Sequence, residues 1–193
     1  MSDNHHHEEN FIQKYVFSVD HKVIGLQYGV TSLLFLLFGF LLMAVMRYQL
    51  AYPETVIPYI GEWFFSESGG VMLPENYNTL GAMHGTIMIF LGVVPLAVGA
   101  FGNYLVPLQV GAPDMAFPKL NMASYWTYFL GGVTMLYGFT LPGGAANSGW
   151  TSYPPLADIA TTGQTVWLIG MIFLITSSLL GSVNIIVTIV QLR

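Results

Sequence analysis

The sequence predicts an all-α integral membrane protein, a helical bundle of four transmembrane helices with its N- and C-termini on the cytoplasmic side. Three observations carry this expectation. Of 193 residues, 54% are hydrophobic and only 8% charged, whereas a soluble domain carries about 25% charged residues. The apolar residues gather into four runs, each near or above the roughly 20 residues that cross a hydrocarbon core. The few Lys and Arg residues fall, with one exception, at one side of these runs, and that asymmetry sets orientation.

Taken in order, residues 1–18 form a polar N-terminal tail. The run His5, His6 and His7 could bind a metal weakly, but a disordered or tag-like segment is the simpler account. The first apolar run covers about 23–46. The second, about 79–108, is long enough to tilt or to protrude into the interface. The third covers about 122–141 and the fourth about 166–192. Unbroken runs without alternation argue for helices and against a barrel. Lys14 and Lys22 precede the first run, Lys119 lies between the second and third, and Arg193 follows the fourth. The first outer connection carries Glu54, Glu62, Glu67 and Glu75, and the second carries Asp158. Arg47, at the outer end of the first helix, breaks the pattern. Tyr52, Trp63, Trp150 and Tyr153 fall where aromatic side chains sit at a membrane interface.

Composition also excludes. There is no cysteine, so disulfides, cysteine zinc sites and iron–sulfur clusters are out. A net charge of −5 gives no reason to expect nucleic acid. The start lacks the basic, apolar and small-residue pattern of a cleaved signal peptide, and no internal repeat is visible.

His84 is the only histidine inside a predicted span. It stands about 7–8 Å below the outer end of the second helix. Ionisable groups at such depth tend to be functional, and imidazole is a standard axial ligand of haem iron. A neutral histidine bonded to a neighbouring helix would look the same. Gly81 and Gly85 flank it, and Gly85, Gly92 and Gly99 recur every seven residues. That stripe suits close approach of another helix or of a flat macrocycle. Arg47 lies at similar depth and could satisfy an anionic or formyl group, or could snorkel to headgroups.

A second constellation lies on the inner side. Asp114 is the only acid in the inner loops between the predicted spans, with Asn103 and Asn121 near the same surface. Amides hold ordered water by donating and accepting hydrogen bonds, and a carboxylate beside them suits the mouth of a proton-conducting water chain. Asp114 could instead be a turn residue after Pro113. Ser177 and Ser178 lie deeper, near mid-membrane, with Asn184 nearer the inner face. They could continue such a path or glue helices together.

Several motifs then stand in order: Asp20-His-Lys-Val-Ile-Gly25, His84-Gly-Thr-Ile-Met-Ile-Phe90, Phe101-Gly-Asn-Tyr-Leu-Val-Pro107, Gly111-Ala-Pro-Asp-Met-Ala-Phe-Pro118, Gly149-Trp-Thr-Ser-Tyr-Pro-Pro-Leu156 and Ser177-Ser-Leu-Leu-Gly181. Their order and spacing resemble subunit I of the haem–copper terminal oxidases, in particular of cytochrome c oxidase. The resemblance covers residues 19–193 and equates them with the first four transmembrane helices of that subunit. It implies that His84 is an axial ligand of a low-spin haem, usually haem A, and that Arg47 bonds the haem formyl group. It places Asp114 at the entrance of the D proton pathway, with Asn103, Asn121, Ser177 and Ser178 along it. One departure is Lys119, where the pattern often has Arg.

The resemblance further implies partners. The remaining part of subunit I would carry the second axial histidine, the high-spin haem and copper B. Subunits II and III would complete the oxidase, with cytochrome c as electron donor and a prokaryotic inner membrane, rather than a mitochondrial one, as location. The chain is then either a fragment or one part of a split subunit. A quinol oxidase of the same superfamily and a non-haem transport module are the alternatives. A di-haem cytochrome b bundle would need several membrane histidines and is disfavoured.

Overall fold

The structure, a computed structural model, describes residues 10–159 and 161–193. The run His5 to His7 lies outside the described residues. Four long helices dominate: α1 His21–Ala51, α2 Pro74–Val110, α3 Pro118–Tyr137 and α4 Thr162–Gln191. Each predicted run falls on one of them. Short helical turns at Ile12–Val16, Gly61–Phe64, Ser66–Ser68, Gly138–Thr140 and Leu156–Ile159 fill the connections.

The helix ends follow local chemistry. Asp20 caps α1 by accepting from the Lys22 N–H at 2.7 Å, which satisfies one of the first-turn donors. Pro74 and Pro118 open α2 and α3, where a missing N–H costs nothing. Gly111 closes α2 with φ +77°, a left-handed conformation that glycine adopts without strain.

The middle of α2 is wound wide, as π-helix, over Ile87–Val93 and Pro95–Gly102. Pro95 offers no N–H to the preceding turn, which includes the carbonyl of Leu91. The Tyr128 hydroxyl from α3 donates to that carbonyl at 2.7 Å. A carbonyl inside the wide-wound stretch thus takes a side-chain partner from a neighbouring helix.

The four helices alternate in direction. Gly39 of α1 meets His84 of α2 near one end, and Gly25 meets Ala100 and Tyr104 near the other. Ser124 meets Ser177, and Phe117 meets Asn184, along α3 and α4. The α3–α4 pair packs most closely. A Cβ built on Gly131 would stand 3.0 Å from the Gly170 carbonyl oxygen, so small residues let these backbones touch. On α1, Ile24, Tyr28, Phe35, Leu42 and Met46 are buried, while Leu26, Val30, Leu33, Leu37 and Phe40 are exposed.

Three helices, α1, α2 and α4, are long and apolar enough to cross a membrane; four were expected. The exception is α3. Its 20 residues reach about 30 Å, so length suffices. Its composition differs, because Lys119, Asn121, Ser124, Tyr125 and Tyr128 dilute the apolar run. Of these, all but Lys119 are buried against the other helices.

At the first turn of α4, a Cβ on Gly163 would collide with the Gly144 carbonyl oxygen and stand 2.8 Å from the Ala145 carbonyl carbon. Both are backbone and cannot rotate aside. Gly163→Ala is expected to destabilise the fold by about 1–3 kcal/mol, read as a lower thermal midpoint of the purified complex in detergent.

Candidate haem-ligand and proton-path residues

His84 projects from α2 toward α1, half-buried. Its Nδ1 donates to the Gly39 carbonyl oxygen at 2.9 Å. A carbonyl can only accept, so Nδ1 carries a proton, and in the neutral ring the lone pair lies on Nε2. A metal-ligating imidazole takes this tautomer, its other nitrogen fixed by a backbone carbonyl. The contact needs a close approach: a Cβ on Gly39 would stand 2.7 Å from Met88 Sδ. Around His84, a Cβ on Gly85 would lie 3.8 Å from the Trp150 ring, and Trp150 packs against Phe90 at 6.0 Å between ring centroids. Nearby on α2, two residues beyond His84, Trp167 Nε1 donates to Thr86 Oγ1 at 3.2 Å. Thr86 itself donates to the Ala82 carbonyl at 3.1 Å.

Arg47 is exposed. Its neighbour Met46 lies against Gly81, three residues before His84, so Arg47 stands about one helical turn outward of the imidazole. No three His, Cys, Asp or Glu side chains converge on a metal position among the described residues.

At the other end, Asp114 is half-buried and its Oδ1 accepts from the Met115 N–H at 2.6 Å. Asn103 and Asn121 are buried. Asn103 Nδ2 donates to the Gly99 carbonyl at 2.6 Å. Asn103 Oδ1 and both amide atoms of Asn121 are buried without a partner. An orphaned buried polar group costs about 1–3 kcal/mol. Ordered water is the usual partner of such atoms.

Deeper in the bundle, Ser177 Oγ donates to the Ser124 carbonyl at 2.6 Å, and Ser124 Oγ donates to the Asn121 carbonyl at 2.7 Å. The Tyr28 hydroxyl donates to Ser124 Oγ at 3.1 Å and lies 3.2 Å from Ser177 Oγ. Asn121, Ser124, Tyr28 and Ser177 therefore form one connected cluster. Ser178 is not in it: the side chain lies on the exposed face of α4. Asp114 makes no direct bond to Asn103 or Asn121 among the described residues.

Sequence reasoning passed over Tyr28, Ser124 and His21. Ser124 could have been found three residues after Asn121, on the same helix face. Tyr28 carries no such signal in an aromatic-rich helix. His21 is buried, and its Nδ1 donates to the Asn103 carbonyl at 2.9 Å, joining residues 82 apart. Asn184 fastens α4 to the start of α3. Its Oδ1 accepts from the Phe117 N–H at 2.9 Å, and its Nδ2 donates to the Phe117 carbonyl at 3.2 Å.

Residues 23–193 match the family model described as cytochrome c and quinol oxidase polypeptide I. The chain is 48% identical to the cytochrome c oxidase subunit 1 of Thermostichus vulcanus over 93% of its own length and 30% of that protein. It is 42% identical to the cytochrome c oxidase subunit 1 of Synechocystis over 97% of its length and 31% of that protein. It is 43% identical to a putative cytochrome c oxidase subunit 1-beta of Streptomyces coelicolor, over 93% of its length and 29% of that protein. The chain thus spans about 30% of the length of these relatives. With nearly all of its residues matched by that model and by bacterial relatives of this similarity, it belongs to the family of cytochrome c and quinol oxidase polypeptide I.

Proposed function

We propose that this chain forms part of the catalytic subunit of a proton-pumping terminal oxidase that reduces oxygen to water with electrons from cytochrome c. The observation that carries the proposal is the hydrogen bond from His84 Nδ1 to the Gly39 carbonyl, which leaves Nε2 free for iron. His84 would hold a low-spin haem, of A type, as one axial ligand, and Arg47 would reach its polar substituents. A haem held this way supplies one-electron transfer tuned by ligation, hydrogen bonding and dielectric. The names of the relatives favour cytochrome c over quinol as donor. The rest of the subunit would supply the second axial ligand, the high-spin haem and copper B, and subunits II and III would complete the complex.

The chain's own residues then account for proton uptake. Asp114 stands at the mouth. The unpartnered amide atoms of Asn103 and Asn121 would hold water above it, and Ser177, with Ser124 and Tyr28, would carry hydroxyls further in. Ser178 would join where other parts of the subunit cover its face of α4. All four helices would cross a prokaryotic inner membrane, α3 shielded by its neighbours, with both chain ends on the cytoplasmic side, where Lys14, Lys22, Lys119 and Arg193 cluster.

The testing experiment is a reduced-minus-oxidised visible spectrum of the purified complex that contains this chain. A haem A-type band supports the proposal. A complex without any haem band overturns it and leaves a transport module as the better account. Arg47→Ala is expected to shift the low-spin band while retaining the haem; an unmoved band removes the formyl contact.

A further inference from the structure

The segment before α1 carries apolar side chains that the proton path and the haem ligand do not use. It does not leave the bundle. Gln27 Nε2 donates to the Tyr15 carbonyl at 2.7 Å and to the Val16 carbonyl at 2.9 Å, and Gln27 stands about 9 Å along α1 from its first residue. Phe17 stacks on Trp126 at 5.0 Å between centroids, and Trp126 stands about 12 Å along α3 from Pro118. His21, the first residue of α1, bonds to Asn103, about 10 Å short of the inner end of α2. Residues 11–19 therefore lie beside the helices, level with the first turns of α1 and α3.

The outward face of this segment is apolar. Phe11 is 70% exposed, Ile12 52% and Phe17 53%, with Tyr15 and Val19 also exposed. Val19 shares a groove with Phe117, Pro118 and Lys119 from the start of α3. The exposed apolar surface of α1, beginning at Leu26 and Val30, continues from it. Charge adds direction. Lys14 Nζ lies 5.4 Å over the Tyr15 ring, and Lys14, Lys22, Lys119 and Arg193 are all at this end. Among the described residues, the acids of this end are Asp20 and Asp114. Apolar and aromatic side chains beside lysines at the hydrocarbon boundary are the chemistry of an interfacial anchor on anionic lipid.

We propose that residues 11–19 form such an anchor, lying in the headgroup region of one leaflet, with Phe11, Ile12 and Phe17 in the acyl boundary and Lys14 and Lys119 on phospholipid phosphates. This rests on the reading that the long helices span a bilayer. The test uses the whole complex in vesicles of phosphatidylcholine with phosphatidylglycerol. The chain has no cysteine of its own, so a spin label at Ile12→Cys, and in a second variant at Phe11→Cys, has one site on it; the unsubstituted complex labelled in parallel supplies the background. The expected result is a collision rate with oxygen several-fold above that with a water-soluble nickel chelate, and a fall in that ratio in phosphatidylcholine alone. A label dominated by nickel collisions puts the segment in water and overturns the proposal. Low collision rates with both reagents put it against a protein partner and overturn it equally, and a ratio indifferent to phosphatidylglycerol overturns the attraction of the lysines to anionic lipid. Haem in the labelled complex separates this failure from failure of the oxidase proposal, which shows as no haem in the parent.

Discussion

Replacing His84 with Ala is expected to remove the low-spin haem component that the proposed function assigns to the visible spectrum of the complex. The expectation follows from the geometry. Nδ1 is committed to the Gly39 carbonyl at 2.9 Å, so Nε2 is the only nitrogen free to bind iron, and alanine offers none. The fold has little reason to fail in this variant. The lost hydrogen bond is worth about 1 kcal/mol, and the smaller side chain crowds no neighbour. Loss of the band with a nearly unchanged thermal midpoint therefore reads as loss of a ligand. An intact low-spin band would remove His84 from the site, and a collapsed complex would be answered by His84→Gln, which keeps much of the volume.

Asp114→Asn is expected to slow proton-coupled turnover by about 10²-fold, the scale on which one positioned proton-transfer group acts, while the haem spectrum stays intact. The turn survives because an asparagine side-chain oxygen can still accept from the Met115 N–H, the bond that Asp114 makes at 2.6 Å. What is lost is the carboxylate that, on the proposed function, would take up and release protons. Oxygen consumption and pH change in reconstituted vesicles measure the effect. Turnover equal to the parent would take Asp114 out of the path. Loss of haem with the activity would make it a structural residue of the α2–α3 connection.

The helices were legible because lipid imposes a simple rule on composition, and α1, α2 and α4 follow it. The third helix was legible as a helix but departs from the rule as a span, because its polar and aromatic residues face other helices instead of lipid. Ser177 and Ser178 teach a related point. Adjacent helical residues point about 100° apart, so only one of the pair could enter the cluster, and that was available from spacing alone. The contacts of Tyr28 with Ser124 and of His21 with Asn103 were not, because they join residues 96 and 82 apart through packing that no local pattern records. His84 was visible as the one histidine in a span. Its tautomer was not, since that depends on which carbonyl α1 presents.

The hydroxyls of Tyr28, Ser124 and Ser177 have a direction as well as a position. The Ser177 and Ser124 protons point to carbonyls of α3, and the Tyr28 proton points to Ser124. A wire of hydrogen bonds that has handed one proton along is left with its dipoles reversed, and each rotor must turn back before the next proton can follow. Here the serine rotors are parked on backbone oxygens that accept but never release, and each turn breaks a bond worth about 1 kcal/mol. Conduction through this cluster would require the serine rotors to reset between one proton and the next.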